Sequence, residues 1–132
     1  DYDAILKNNP KDLLAVNNLA VLLADKKGDP KSLEKAYSLS KDFEKSDPNP
    51  VFLDTLGWVY VKLGRGEDAL RVLKSAVAKA PKEPNLNYHL GMAYYGSGRL
   101  KDAKIYLTKA LQSGVSFNGL KEARETLTQI KG

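Results

Sequence analysis

The sequence predicts an all-α fold, an α-solenoid in which antiparallel helix pairs stack side by side, and three observations carry that reading. The stretch Pro50–Tyr60 recurs at Pro84–Tyr94, an offset of 34 residues, and the match continues without a gap. Pro50, Leu56, Gly57, Tyr60, Gly64, Ala69, Leu73 and Ala76 meet Pro84, Leu90, Gly91, Tyr94, Gly98, Ala103, Leu107 and Ala110. Within a unit, apolar residues fall at helical spacing twice, first at Leu53, Leu56, Gly57 and Tyr60, then at Ala69, Leu70, Leu73, Ala76 and Val77. The turn signal Gly64-Arg65-Gly66 separates the two runs, and Pro81 stops the second.

Each element follows from its residues. Ala4-Ile5-Leu6 ahead of Pro10 reads as the end of a preceding repeat, over residues 1–10. The chain starts at Asp1 and opens in mid-helix, so a parent protein continuing on the N-terminal side is expected. Residues 13–49 form a first, degenerate repeat. Val16, Leu19-Ala20 and Leu23 supply its first helix, with Ala20 in the place of glycine. Its second helix carries Ala36 in the place of Ala69, and the turn between them, around Lys26–Lys31, is longer by four residues. Asp29 as N-cap and Pro30 at the first helical position restart the chain there. Repeats over 50–83 and 84–117 follow. Gly57 is expected to lie against Ala69, and Gly91 against Ala103, where the helices cross, because a mid-helix glycine costs about 1 kcal/mol against alanine and its recurrence needs a packing reason. Leu120, Ala123, Leu127 and Ile130 make an amphipathic capping helix over 118–131, with Lys121, Glu122, Arg124 and Glu125 outward.

Composition bounds the chemistry. The 132 residues make one domain, 42% hydrophobic and 28% charged, with a net charge of +5. There is no cysteine, which removes disulfides, thiolate metal ligands and cysteine nucleophiles. One histidine, His89, and scattered carboxylates leave no zinc constellation, so no metal and no cofactor is expected. His89 reads as a surface or packed residue, and no catalytic residue is expected. The glycines at Gly64, Gly66, Gly96 and Gly98 recur at helix turns and form no phosphate loop. No run of about 18 apolar residues spans a bilayer, so direct membrane insertion is not expected. Lysines such as Lys74, Lys101 and Lys104 lie on the outer sides of second helices without interleaved aromatic residues, so no nucleic-acid partner is expected.

This pattern resembles the tetratricopeptide repeat family, whose bulky residue, Leu-Gly, Tyr, Ala, bulky residue and Pro are met by Leu53, Leu56-Gly57, Tyr60, Ala69, Leu73 and Pro81. The third unit departs from it at Asn87 and at Val115. The resemblance implies a right-handed superhelix and a non-catalytic scaffold that holds a protein or peptide in its concave groove. It places three residues per unit on that wall: Asn17, Val21 and Ala24, then Asp54, Trp58 and Val61, then Tyr88, Met92 and Tyr95. Asp25, Lys62, Asn85 and His89 fall at the margins. The rival reading packs these side chains on one another or on a piece of the parent protein. The family's carboxylate clamp uses Lys, Asn and Arg along this groove; the positions in frame are Asn17, Val21, Thr55, Asn85 and His89, of which only His89 can carry a positive charge, so capture of a free C-terminal carboxylate is disfavoured.

Two further functions stay open. The chain reads alternatively as a structural spacer of a longer array, which self-association would favour. It also reads as an adaptor module of an assembly whose catalysis lies elsewhere. The cadence of NNLAVLLA, LDTLGWVY and YHLGMAYY resembles the C-terminal end of large bacterial repeat proteins, some associated with exopolysaccharide or surface-protein export. Cytoplasm and periplasm both fit the composition.

Overall fold

The computed structural model describes residues 13–27, 29–46, 49–117 and 119–131. The expected end of a preceding repeat at residues 1–10 lies outside them. In chain order come α1 (Leu13–Leu22), prolonged by a π-helical turn at Leu23–Lys27, then α2 (Pro30–Ser40) and the single turn α3 (Phe43–Ser46). After these come α4 (Pro50–Lys62), α5 (Gly66–Lys79), α6 (Pro84–Gly96), α7 (Leu100–Gln112) and α8 (Leu120–Lys131). The described residues contain no strand.

Local chemistry sets the helix ends. The Asp29 carboxylate accepts from the Ser32 amide at 3.2 Å and from the Ser32 hydroxyl at 2.6 Å. Asn49 Oδ1 accepts from the Val51 amide at 2.9 Å. Proline occupies the start of α2, α4 and α6, where its missing N–H costs no hydrogen bond. The α4–α5 and α6–α7 turns are built alike. Gly64 and Gly98 adopt φ of +78° and +77°, and the amides of Arg65 and Arg99 reach back to the carbonyls of Tyr60 and Tyr94, each at 2.9 Å. A side chain at either glycine would strain that left-handed residue. The guanidiniums of Arg65 and Arg99 then lie 4.9 Å from the Tyr60 and Tyr94 ring centroids.

Packing follows chain order. α1 lies against α2 and α4, α4 against α5 and α6, α5 against α6, α6 against α7, and α7 against α8. Leu56, Leu73, Leu90 and Leu107 are fully buried between the helices, each contributing about 1.5–3 kcal/mol of hydrophobic stabilisation. The glycines do permit close approach, but the side chain pressed on them is leucine. A Cβ at Gly57 would overlap the Leu73 side chain, and one at Gly91 would come 2.7 Å from Leu107 Cγ. Ala69 and Ala103 are buried without being the atoms that Gly57 and Gly91 meet, because the bulkier leucine one turn further along reaches across the gap.

The second helix of the first unit is shorter than those that follow. It ends at Ser40, whose buried hydroxyl donates to the Ala36 carbonyl at 2.8 Å, a bond that competes with the helix ladder. The break turns Phe43 inward, 5.3 Å from the Phe52 ring centroid.

Candidate functional site

The first helices of successive pairs, α1, α4 and α6, lie side by side and make up one wall, and α8, packed on α7, reaches α6 through side chains. Trp58, Tyr88 and His89 are tied to carboxylates, and Tyr95 to an amide oxygen, about one repeat away. The Trp58 indole N–H donates to Asp25 Oδ1 at 2.7 Å, 33 residues earlier. Asp54 Oδ1 lies 2.5 Å from His89 Nδ1, 35 residues later. A carboxylate only accepts, so this pairing puts the proton on Nδ1. The Tyr88 hydroxyl donates to Glu122 Oε2 at 2.7 Å, and the Tyr95 hydroxyl to Gln129 Oε1 at 3.0 Å, both spanning 34 residues. These bonds link α1 to α4, α4 to α6, and α6 to α8.

The rings stack between the bonds. His89 lies 4.2 Å from Trp58, nearly parallel to it, and Tyr88 packs at 5.6 Å from both Trp58 and Phe117. Lys62 Nζ sits 4.8 Å from the Trp58 centroid. Trp58 is 6% exposed and Tyr88 3%, so both present an edge to the groove and use the rest of their surface in packing. Burial, followed by the neighbouring Glu122 carboxylate, raises the Tyr88 phenol well above its ordinary value and keeps it a proton donor.

Beside this row lies a cavity of about 600 Å³. Of the residues expected on the wall, Val21, Ala24, Asp54, Trp58 and Tyr88 line it. All four expected margin residues, Asp25, Lys62, Asn85 and His89, line it too. The other expected residues lie elsewhere. Asn17 is buried in α1, with its Oδ1 meeting no donor among the described residues. Val61 and Met92 are half-buried against the cluster of Trp58, Tyr88, Leu107 and Leu127. Tyr95 is half-buried and bonded to α8. Trp58, Met92 and Tyr95 therefore do not form one open floor.

Thr55, Val59, Gly119 and Glu122 complete the lining; Glu122, expected to face outward on the capping helix, turns to Tyr88 instead. Glu122 follows Tyr88 by the repeat length, and that is the signal that could have found it. Gly119 is required by its neighbour, since a Cβ there would overlap the Tyr88 ring. No group of three or more potential metal ligands is present among the described residues. The arrangement offers hydrogen-bond acceptors, one ammonium and aromatic edges in an open hollow.

Comparison with known proteins agrees with the stacked helix pairs. A family model described as Tetratricopeptide repeat matches residues 55–114. A TPR repeat-containing protein of Pseudomonas aeruginosa is 31% identical over 95 residues. The match takes in 69% of this chain and spans 15% of that protein's length. The crystal structure of a thermophilic TPR protein of Thermus thermophilus is similar at a TM-score of 0.75 and 26% identity, over 98% of this chain and 69% of that one. The chain belongs to the tetratricopeptide repeat family. The Sgt2 TPR domain from Aspergillus fumigatus is similar in fold, with a TM-score of 0.72 at 20% identity, over 90% of this chain and 78% of that one. The fold is thus an α-solenoid of helix pairs, an architecture suited to protein interaction. No helix among the described residues is long and apolar enough to cross a membrane.

Proposed function

We propose that this domain is a non-catalytic scaffold that holds an extended segment of a partner protein in its concave groove, at the hollow between α1, α4, α6 and the start of α8. The observation that supports the reading is the cavity of about 600 Å³ itself. Three successive repeats contribute to it, and the aromatic–carboxylate bonds behind it hold its walls in place. A preformed wall loses little conformational entropy when a guest arrives. The Asn85 amide at the rim can pair with a peptide backbone, and Val21 and Ala24 offer apolar edges. The Pseudomonas relative carries its similar segment within a much longer chain, which supports a module acting inside a larger protein.

The test is a selection of random displayed peptides on the immobilised chain, run beside Asn85→Trp, which fills the hollow from its rim. Peptides should enrich on the wild type and not on the variant. Equal enrichment on both would place binding elsewhere on the molecule and end this reading.

A further inference from the structure

We propose that the occupant of this hollow is a basic peptide segment, held through an arginine or lysine side chain that enters between Asp25, Asp54 and Glu122. The proposal rests on the groove reading above and names the chemistry of its guest.

The chain carries 21 lysines and arginines against 16 acids, yet among the described residues the hollow is lined by three carboxylates and one ammonium, Lys62. Its sign is opposite to that of the whole molecule, so composition does not explain it. Each carboxylate accepts from one aromatic donor: Asp25 from the Trp58 indole, Glu122 from the Tyr88 phenol, Asp54 from the His89 ring. A carboxylate offers about four acceptor positions, so each retains capacity for another donor. Among the described residues Arg65 and Arg71 pair with Asp68, Arg71 with Glu44, and Arg99 with Asp102. None pairs with Asp25, Asp54 or Glu122, and Lys62 lies over the Trp58 ring instead.

Geometry adds to the charge. The three carboxylates come from three different layers of the solenoid, the π-helical turn after α1, then α4, then α8. Each is fixed from behind by a ring, so a guest cation meets acceptors already oriented and loses less entropy than at a mobile surface pair. A peptide side chain reaches such a hollow, and Asn85 stays available for the peptide backbone. An anionic segment would meet the opposite arrangement.

The experiment reads residue preferences from the displayed-peptide selection on the whole chain. A second selection uses the double variant Asp25→Asn, Glu122→Gln. These substitutions remove charge and keep an acceptor for the Trp58 indole and the Tyr88 hydroxyl, and thermal melting checks that the fold survives. The wild-type pool should be enriched in arginine or lysine, and the double variant should lose that preference. An enriched wild-type peptide should bind the double variant about tenfold more weakly or worse, read through the single tryptophan, Trp58. The same peptide with citrulline for arginine, or norleucine for lysine, should weaken similarly, and the two arms tell a guanidinium from an ammonium site. Lys62→Ala removes the one ammonium in the hollow and should tighten binding roughly twofold to fivefold. It decides the matter alone if the double variant does not fold. Enriched peptides without basic bias, an unchanged bias on the double variant, or weaker binding by Lys62→Ala would overturn the charge assignment and leave the groove reading standing. A wild-type pool with no enrichment would overturn both.

Discussion

The inner wall has two halves, and they differ in what lies over them. Around Trp58 the wall faces a hollow, with Val21, Asp54 and Asn85 at its edges. Around Met92 and Tyr95 no such hollow lines the wall among the described residues; both are half-buried, and Gln129 of α8 accepts from the Tyr95 hydroxyl. Both halves are aromatic and occupy corresponding stretches of successive repeats. The contrast teaches that residue type alone does not make a binding surface in a solenoid. The next helix decides, by covering a stretch or leaving it open.

The largest effect should come from loosening the covered half. Leu127→Ala removes the anchor of α8 and should cost about 2–4 kcal/mol in chemical denaturation. A loss below about 0.5 kcal/mol would mean that α8 covers α6 only loosely. Next, Gly119→Ala should cost about 1–3 kcal/mol, since the new methyl group displaces a Tyr88 ring held by Trp58, Phe117 and Glu122. Gly96→Ala is the matched control. A Cβ there meets nothing within 4 Å, and stability should not fall.

Tyr88→Phe tests the seam between the halves and should cost about 1 kcal/mol at neutral pH. Its pH dependence has a definite sign. The folded phenol titrates above its ordinary 10.0, so its stabilisation is fully present below that value and is lost as pH rises beyond it. Wild type should therefore lose stability above about pH 10 more steeply than Tyr88→Phe, in denaturant midpoints measured across that range. Parallel curves would remove Tyr88 as the cause. The smallest effect belongs to the open half, where Lys62→Ala should change stability by less than about 0.5 kcal/mol.

Much of the fold was legible because a repeat writes the same packing twice. The 34-residue offset locates the paired runs, and Gly64 and Gly98 mark turns that only a left-handed residue completes. The site was legible in part, for a physical reason. Periodicity fixes which side of a helix faces its own partner, and so places Trp58 and Tyr88 on the wall. It carries no information on how far the following layer reaches over that wall. The partial cover of Met92 and Tyr95 beside α8, and the turn of Glu122 towards Tyr88, depend on that layer. The break at Ser40 was hidden because a serine inside a helical pattern reads as helix until its hydroxyl is seen on the Ala36 carbonyl. The leucines against Gly57 and Gly91 were hidden because spacing ranks positions along a helix and not the reach of the side chain across the gap.

The links Asp25–Trp58, Asp54–His89 and Tyr88–Glu122 form an unbroken row of rivets from the first layer to the last. A helical stack without them could flex like a coiled spring and change its curvature for each visitor. Here a change of curvature has to break such bonds at each seam it crosses, at about 1 kcal/mol apiece. On the scaffold reading proposed above, that cost favours visitors that match the wall over visitors that need it to move.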